Sequence, residues 1–144
     1  MGTIRFVASI FTRIIDGEIP ARFVWTDEVC VAFLDVRPLN RGHVLVVPRT
    51  EVDHWLDLDP DVASHLVRVS QIIGSAQREA LTPSRVGLMI AGFEVAHVHV
   101  HVVPIDSMRH LEFASADPHP DQADLDVVAA LLRSTLEDQG HRPV

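Results

Sequence analysis

One run of eight residues limits what this chain can become: His97-Val98-His99-Val100-His101-Val102-Val103-Pro104. Side chains alternate across a β-strand with a period of two. In that geometry the three imidazoles share one face, and Val98, Val100 and Val102 share the other. Valine suits a pleated, half-buried surface. The valine face is therefore expected in the core, and the histidine face toward a cleft or solvent. Pro104 is expected to close the strand.

The rest of the chain supplies a sheet and helices for that strand. Ser9–Ile15 reads as a short helix with Ser9 as N-cap, and Gly17 and Pro20 punctuate its end. Arg22–Thr26 and Val29–Leu34 read as a hairpin turning at Asp27-Glu28, without the favoured glycine. Asp35–Asn40 is a loop and His43–Pro48 a nearly all-apolar strand. A long helix begins at Asp59-Pro60, with Val62, Leu66, Val69, Ile73, Ala76 and Ala80 forming one apolar stripe. Leu81-Thr82-Pro83-Ser84 ends it. Arg85–Ala91 is a strand, and the histidine strand spans Ala96–Val103. An acidic stretch, Asp117–Asp121, precedes a last helix over Asp124–Glu137, where Leu125, Val128, Ala129, Leu132 and Leu136 share a side and Gly140 marks the stop. Short links between neighbouring strands predict an α+β fold: a mostly antiparallel five-stranded sheet with a first helix, one long helix and a C-terminal helix. With 144 residues, one domain over 1–144 is expected, its core at about 9–110 and an acidic loop and helix beyond.

Composition removes several kinds of chemistry. All twelve basic residues are arginine, so Schiff-base chemistry, a Walker-type phosphate loop and lysine nucleotidyl transfer all lack their amine. The formal net charge of −8 disfavours non-specific nucleic-acid binding, which rests on cation–phosphate contacts. Cys30 is the single cysteine. It permits no intramolecular disulfide and no multi-cysteine zinc site, and in a strand it reads as a buried, inert thiol. No apolar run reaches membrane-spanning length, and Arg5 and Arg13 break up the N-terminal apolar residues, so no signal peptide is read. A cytoplasmic location is the simplest expectation.

The histidine row admits two chemical readings besides plain surface residues. Metal binding is one. At about 3.3 Å per residue, His97 and His101 lie roughly 13 Å apart, too far for one ion. An adjacent pair with a third ligand, for instance His43, remains compatible. The other reading is a reaction surface. A neutral imidazole is a competent nucleophile, and attack on phosphorus divides one hard displacement into two. Flanking imidazoles then orient it or stabilise oxygen charge.

The pattern of histidines alternating with apolar residues resembles the signature of the histidine triad (HIT) family. Other stretches agree in order. Ser9-Ile10-Phe11-Thr12-Arg13-Ile14-Ile15 and Glu18-Ile19-Pro20-Ala21 resemble the family's first helix. Val31-Ala32-Phe33-Leu34-Asp35-Val36 resembles its nucleoside-binding strand end, and Gly42-His43-Val44-Leu45-Val46-Val47-Pro48-Arg49 its Gly-His strand. The nearest branch is the Hint-like nucleoside phosphoramidate hydrolases.

The resemblance implies that His99 is the nucleophile on the α-phosphorus of a purine nucleotide, supported by His97, His101 and His43. It implies that Asp35 receives the ribose hydroxyls, and that Ile10, Phe11, Ile14, Ile19, Phe33, Leu34 and Val36 form the base pocket. Core packing is the competing reading for these apolar residues. Glu94 and Val95 fall at the phosphate, where backbone N–H groups contribute. The resemblance also implies a homodimer through the long helix and its neighbouring strand, and a reaction that needs no cofactor and no resident metal. Two departures stand out: Phe93 replaces an expected glutamine and Glu94 an expected hydroxyl residue. Neither is a phosphate donor. A nucleotide-binding protein with little catalysis is the alternative, and a histidine-ligated metal protein a third.

Overall fold

The computed structural model describes residues 7–144. The elements, in order, are α1 (Ile10–Ile15), β1 (Phe23–Thr26), β2 (Cys30–Leu34), β3 (Val44–Pro48), α2 (Pro60–Leu81), β4 (Arg85–Met89), β5 (Val100–Ile105) and α3 (Gln122–Asp138), with short 3-10 turns at Trp55–Asp57, Met108–Leu111 and Phe113–Ser115. The five strands form one antiparallel sheet in the order β1-β2-β3-β5-β4. The fold is the expected α+β arrangement. The three 3-10 turns had no signal in the periodicity of the sequence.

Local chemistry explains each boundary. Ser9 caps α1 by accepting from the Thr12 amide, and Asp59 caps α2 with Pro60 at its first position. The β1–β2 turn needs no glycine, because the Asp27 carboxylate accepts from the Val29 and Cys30 amides at 2.7 and 2.8 Å. α3 starts two residues before the expected Asp124, because Asp121 caps it by accepting from the Ala123 amide.

The histidine strand departs from expectation at both ends. Its ladder begins at Val100 rather than Ala96, because the Val98 amide bonds to the Val52 carbonyl at 2.8 Å, outside β3. Residues 97–99 keep the alternation without a ladder. At the other end Pro104 does not stop the strand, which runs on to Ile105. The last β3–β5 pair is Val44 with Val102, so beyond it β5 has a strand neighbour only in β4. The Pro104 carbonyl accepts from Asn40 Nδ2 at 2.9 Å, on the side away from β4. The missing N–H points the same way, where no ladder requires it.

Alternation then sorts the whole interior. Even-numbered Val98, Val100 and Val102, with Ala32, Leu34, Val44 and Val46, join Leu66, Val69 and Ile73 of α2 and Leu125, Val128 and Leu132 of α3 in the main core. Odd-numbered Val31, Phe33, Leu45 and Val47 face the other way and pack with Phe11 and Ile14 of α1. His97, His99 and His101 share that second face. All three are buried rather than solvent-facing. Cys30 is fully buried in the helix-side core, and burial there pushes its thiol up.

Two residues pin β3 and β5 to the helices. Gln77 of α2 is buried, and its Nε2 donates to the Gly42 and Val102 carbonyls at 2.8 and 2.9 Å. Gly42 itself has φ +91° and packs tightly against Leu81, with Pro104 Cγ 3.2 Å from where a β-carbon would stand. No helix of the described residues is long and apolar enough to cross a membrane. The crowding predicts that Gly42→Ala destabilises the fold by about 1–3 kcal/mol, read as a lower urea midpoint with an unchanged m-value; an unchanged midpoint would show that the bend accepts a side chain.

Candidate active site

The second face of the sheet carries a cavity of about 700 Å³ between α1, β2, β3 and the loop before the histidines. Its walls are apolar: Phe11 and Ile14 from α1, Ile19 just after it, and Phe33 from β2. Phe11 meets Phe33 edge-on with ring centroids 5.6 Å apart, and meets His99 likewise at 5.0 Å. Ile10 and Val36 stand at the rim, 47% and 66% exposed. Leu34 borders the cavity, but its side chain belongs to the helix-side core. Phe33 and Leu34 are adjacent on a strand and cannot both face inward.

The histidines are brought together by register. His101 lies opposite Leu45 in the β3–β5 ladder, which carries the chain just before β3 past the His101 ring. There His43 Nε2 lies 2.9 Å from His101 Nδ1. The Leu39 amide donates to His43 Nδ1 at 3.0 Å. A backbone N–H is always a donor, so His43 Nδ1 holds a lone pair. Burial, reinforced by the neighbouring His101 and His99, lowers His43 to about 3, leaving the ring neutral with its proton on Nε2. That proton is donated to His101 Nδ1. Burial, with His99 beside it, lowers His101 to about 4. His101 is thus neutral too, and its own proton sits on Nε2. This N–H is buried, lines the cavity and has no partner among the described residues.

His99 has the opposite polarity. Its Nδ1 lies 2.7 Å from the His97 carbonyl, which can only accept, so Nδ1 carries the proton and Nε2 the lone pair of the neutral ring. Glu94 Oε2 stands 3.1 Å from that Nε2. Both atoms are acceptors when unprotonated, so the contact is a hydrogen bond only with a proton between them.

His97 is placed apart from its neighbours in the row and does not line the cavity. Its Nε2–H donates to the Pro48 carbonyl at 2.8 Å, and the Ser9 hydroxyl donates to its Nδ1 at 2.6 Å. Glu51 Oε1 accepts from the Ser9 amide at 2.6 Å and from the Thr12 hydroxyl at 2.7 Å. These bonds, the Ser9 amide first, hold the Glu51 carboxyl below its ordinary range. His97 therefore ties α1, and with it one cavity wall, to the end of β3.

Asp35 follows β2 at the cavity edge. Its Oδ1 accepts from the Arg37 amide at 2.8 Å, while Oδ2 lies 3.7 Å from His43 Nε2. Burial raises its carboxyl. His43 is neutral, so this contact is no ion pair. The site also contains residues that sequence reasoning missed. Phe113, from a 3-10 turn in the acidic tail, packs edge-on to His101 at 5.4 Å, and Leu39 lines the cavity beside His43. Only an isolated aromatic in a polar segment marked the first, and nothing marked the second.

Among the described residues, two sets of side chains lining the cavity have ligand atoms close enough for a metal ion, and Asp35, His43 and His101 form one of them. Glu94, His99 and His101 place one ligand atom each within 4.8 Å of one another. The hydrogen-bond chain nevertheless assigns a proton, not a lone pair, to His101 Nε2.

Known proteins share this architecture. Residues 16–108 match the family model described as the HIT domain. An uncharacterised HIT-like protein of Mycobacterium tuberculosis (strain H37Rv) is 32% identical over 135 residues, covering 90% of this chain and 94% of its own. The crystal structure of a zinc-bound histidine triad family protein from Mycobacterium smegmatis is similar with a TM-score of 0.78 and 32% identity, over 90% of this chain and 94% of that one. An adenylylsulfatase of Arabidopsis thaliana is 28% identical over 100 residues, 66% of this chain and 51% of its own length. By the order of its motifs, its sheet and these matches, the chain belongs to the histidine triad family.

Proposed function

We propose that this protein is a nucleotide hydrolase or transferase acting at the α-phosphorus of purine nucleotide conjugates, of the nucleoside phosphoramidate type, through a nucleotidyl-His99 intermediate. The observation that carries this reading is the opposite polarity of two neighbouring imidazoles. With any proton of the Glu94 contact on the carboxyl, His99 offers a lone pair at Nε2 and His101 an unpaired N–H at Nε2, with ring centroids 4.9 Å apart. A nucleophile next to a free donor is what displacement at phosphorus requires.

In this mechanism the apolar walls hold the purine between Phe33 and the residues of α1. Asp35 accepts from the ribose hydroxyls, a vicinal pair of donors that matches a two-oxygen acceptor. His99 Nε2 forms a bond to phosphorus as the bond to the leaving nitrogen breaks. His101 Nε2–H donates to a non-bridging oxygen, and His43 fixes its tautomer. The leaving amine takes the proton that the His99–Glu94 pair holds. Water then attacks phosphorus, frees His99 and returns a proton to Glu94. Glu94 and Val95 line the same space, and in this mechanism their backbone N–H groups contribute at the phosphate. His97 acts on position, by holding α1.

A second reading is a nucleotide-binding protein without turnover. It is favoured by the Glu94 contact on His99 and by Phe93, which is 96% exposed and offers no donor. Release of AMP from an adenosine phosphoramidate separates the two. The proposal expects release by the native protein, at least about a thousandfold slower in His99→Ala, with adenosine still bound within a few-fold. Binding without release by the native protein would establish the second reading.

The protein is further proposed to act in the cytoplasm as a homodimer. Along the β1 edge the Thr26 amide bonds to the Pro143 carbonyl and Arg133 bonds to the Phe23 carbonyl. β4 is the opposite edge, where Leu88 is 50% exposed, next to an α2 whose Val67 is 45% exposed. Light scattering after size exclusion is expected to give a dimer, and Leu88→Glu to shift it toward monomer. A native monomer would retire this part.

The neutral histidines carry a cost in acid. In the unfolded chain both His43 and His101 titrate near 6.5, whereas their native values are about 3 and about 4. The unfolded state binds more protons between those limits, so stability is complete above about pH 7 and falls as pH drops through 6.5. The loss is on the order of several kcal/mol across the two. Urea midpoints at pH 7.5 and 4.5 check it: His43→Asn should lose less between them than the native chain, and equal losses would contradict the assignment.

A further inference from the structure

The charge around the reacting atoms is unlike that of an ordinary phosphate site. Such sites surround the anion with guanidinium or ammonium groups. Here Arg37 is the only lysine or arginine among the described residues that line the cavity, set against the carboxyls of Asp35 and Glu94. Burial keeps His43 and His101 uncharged. His99 is the remaining source of positive charge. Glu94 Oε2 lies 3.1 Å from its Nε2, so an imidazolium at 99 is matched by a carboxylate. A proton between them leaves the pair neutral, and without one the pair is negative.

Glu94 also has room to move without leaving the site. Its side chain is 39% exposed. Gly92, two residues before it, has φ +100° and open space where a β-carbon would stand. A phosphoryl group against His99 Nε2 would have to displace this carboxylate, which is part exposed at the cavity lining.

We propose that Glu94 selects substrates by phosphate charge: the site accepts a nucleotide ester or amidate with one ionised oxygen and disfavours a free nucleoside monophosphate with two. This deepens the reading given under Proposed function and rests on it. An α-phosphorus bonded to an amine or alcohol has a single ionisable oxygen. Hydrolysis exchanges that bond for P–OH, whose further ionisation occurs near pH 6. At pH 7 the product therefore carries more negative charge than the substrate, in a site where the Glu94 carboxylate offsets any charge on His99. The added charge favours release. The same loop position filled by a hydroxyl would hold substrate and product phosphate alike.

The experiment compares equilibrium binding of adenosine, the methyl ester of AMP and AMP at pH 7.5 by calorimetry, to the native chain and to Glu94→Gln. Glutamine keeps the shape and removes the charge, and position 94 is exposed enough for the variant to fold, which a thermal melt verifies. The expected result is that Glu94→Gln lowers the Kd of AMP about tenfold, that of the ester about threefold, and that of adenosine less than twofold. Equal gains for AMP and its ester would overturn charge selection, as would an unchanged ratio of AMP to adenosine affinity. The underlying reading fails separately: if neither adenosine nor AMP binds either protein, there is no nucleotide site for Glu94 to select in.

Discussion

The protonation pattern of the histidine row depends on one backbone proton. The Leu39 amide can only donate, so it fixes a lone pair on His43 Nδ1. From there every choice is forced: His43 Nε2 carries a proton, His101 Nδ1 accepts it, and His101 Nε2 presents an N–H to the cavity. A carbonyl makes the reverse choice for His99. Two chemically identical side chains, two residues apart on one strand, thus acquire opposite roles, His99 from a main-chain carbonyl directly and His101 from a main-chain amide through His43. Such indirect orientation resembles the outer-shell bonding that fixes ring tautomers in metal sites, but here the outcome is an acceptor nitrogen and a donor nitrogen side by side.

That pattern survives only if β3 and β5 keep their register. A slip of one residue would turn all three imidazoles into the helix-side core and the valines into the cavity. The register is held from behind. Gln77 reaches through the core to the Gly42 carbonyl, next to His43, and to the Val102 carbonyl, next to His101. One amide of α2 therefore locks the two strands at the point where His43 and His101 must meet. The tight packing of Gly42 under Leu81 serves the same end. The helix side of the sheet supplies no atom to the cavity chemistry, yet it determines where that chemistry can happen.

How much of this was legible in the sequence follows from how local each cause is. Alternation along His97–Pro104 gave the faces correctly, because strand periodicity is a property of the backbone. The caps at Ser9 and Asp59 and the stripe on α2 were equally readable. The burial of the histidines was not, since it depends on α1 folding over them, which is a long-range event. Pro104 misled for a related reason. A proline ends a strand only where its nitrogen faces a partner, and β3 has already stopped there. The gathering of Ile10, Phe11, Phe33, Asp35 and the histidines was reached through the resemblance, not through spacing. Phe113 and Gln77 carry no clear sequence signal, because one sits in an irregular tail and the other is a polar residue on an apolar stripe. The distinct position of His97 lay beyond any pattern, since the run itself presents three equivalent histidines.

Two buried polar atoms among the described residues have no hydrogen-bond partner, Gln77 Oε1 and His101 Nε2, and they mean different things. An unpaired buried polar group costs about 1–3 kcal/mol. Gln77 recovers that cost within its own side chain, because its amide nitrogen makes two bonds to main-chain carbonyls that join three elements. His101 has no such return in the fold. Its one internal bond is spent on His43, and its remaining N–H faces a cavity rather than packed atoms. Replacing His101 with an apolar residue would relieve that unpaired donor, but would also leave the His43 proton without an acceptor. The fold therefore holds a destabilising donor in place through a chain of bonds that begins at Leu39. Such an arrangement makes physical sense where a ligand's acceptor oxygen completes the chain, and under the proposed mechanism the atom beside it, His99 Nε2, attacks the phosphorus to which that oxygen is bonded.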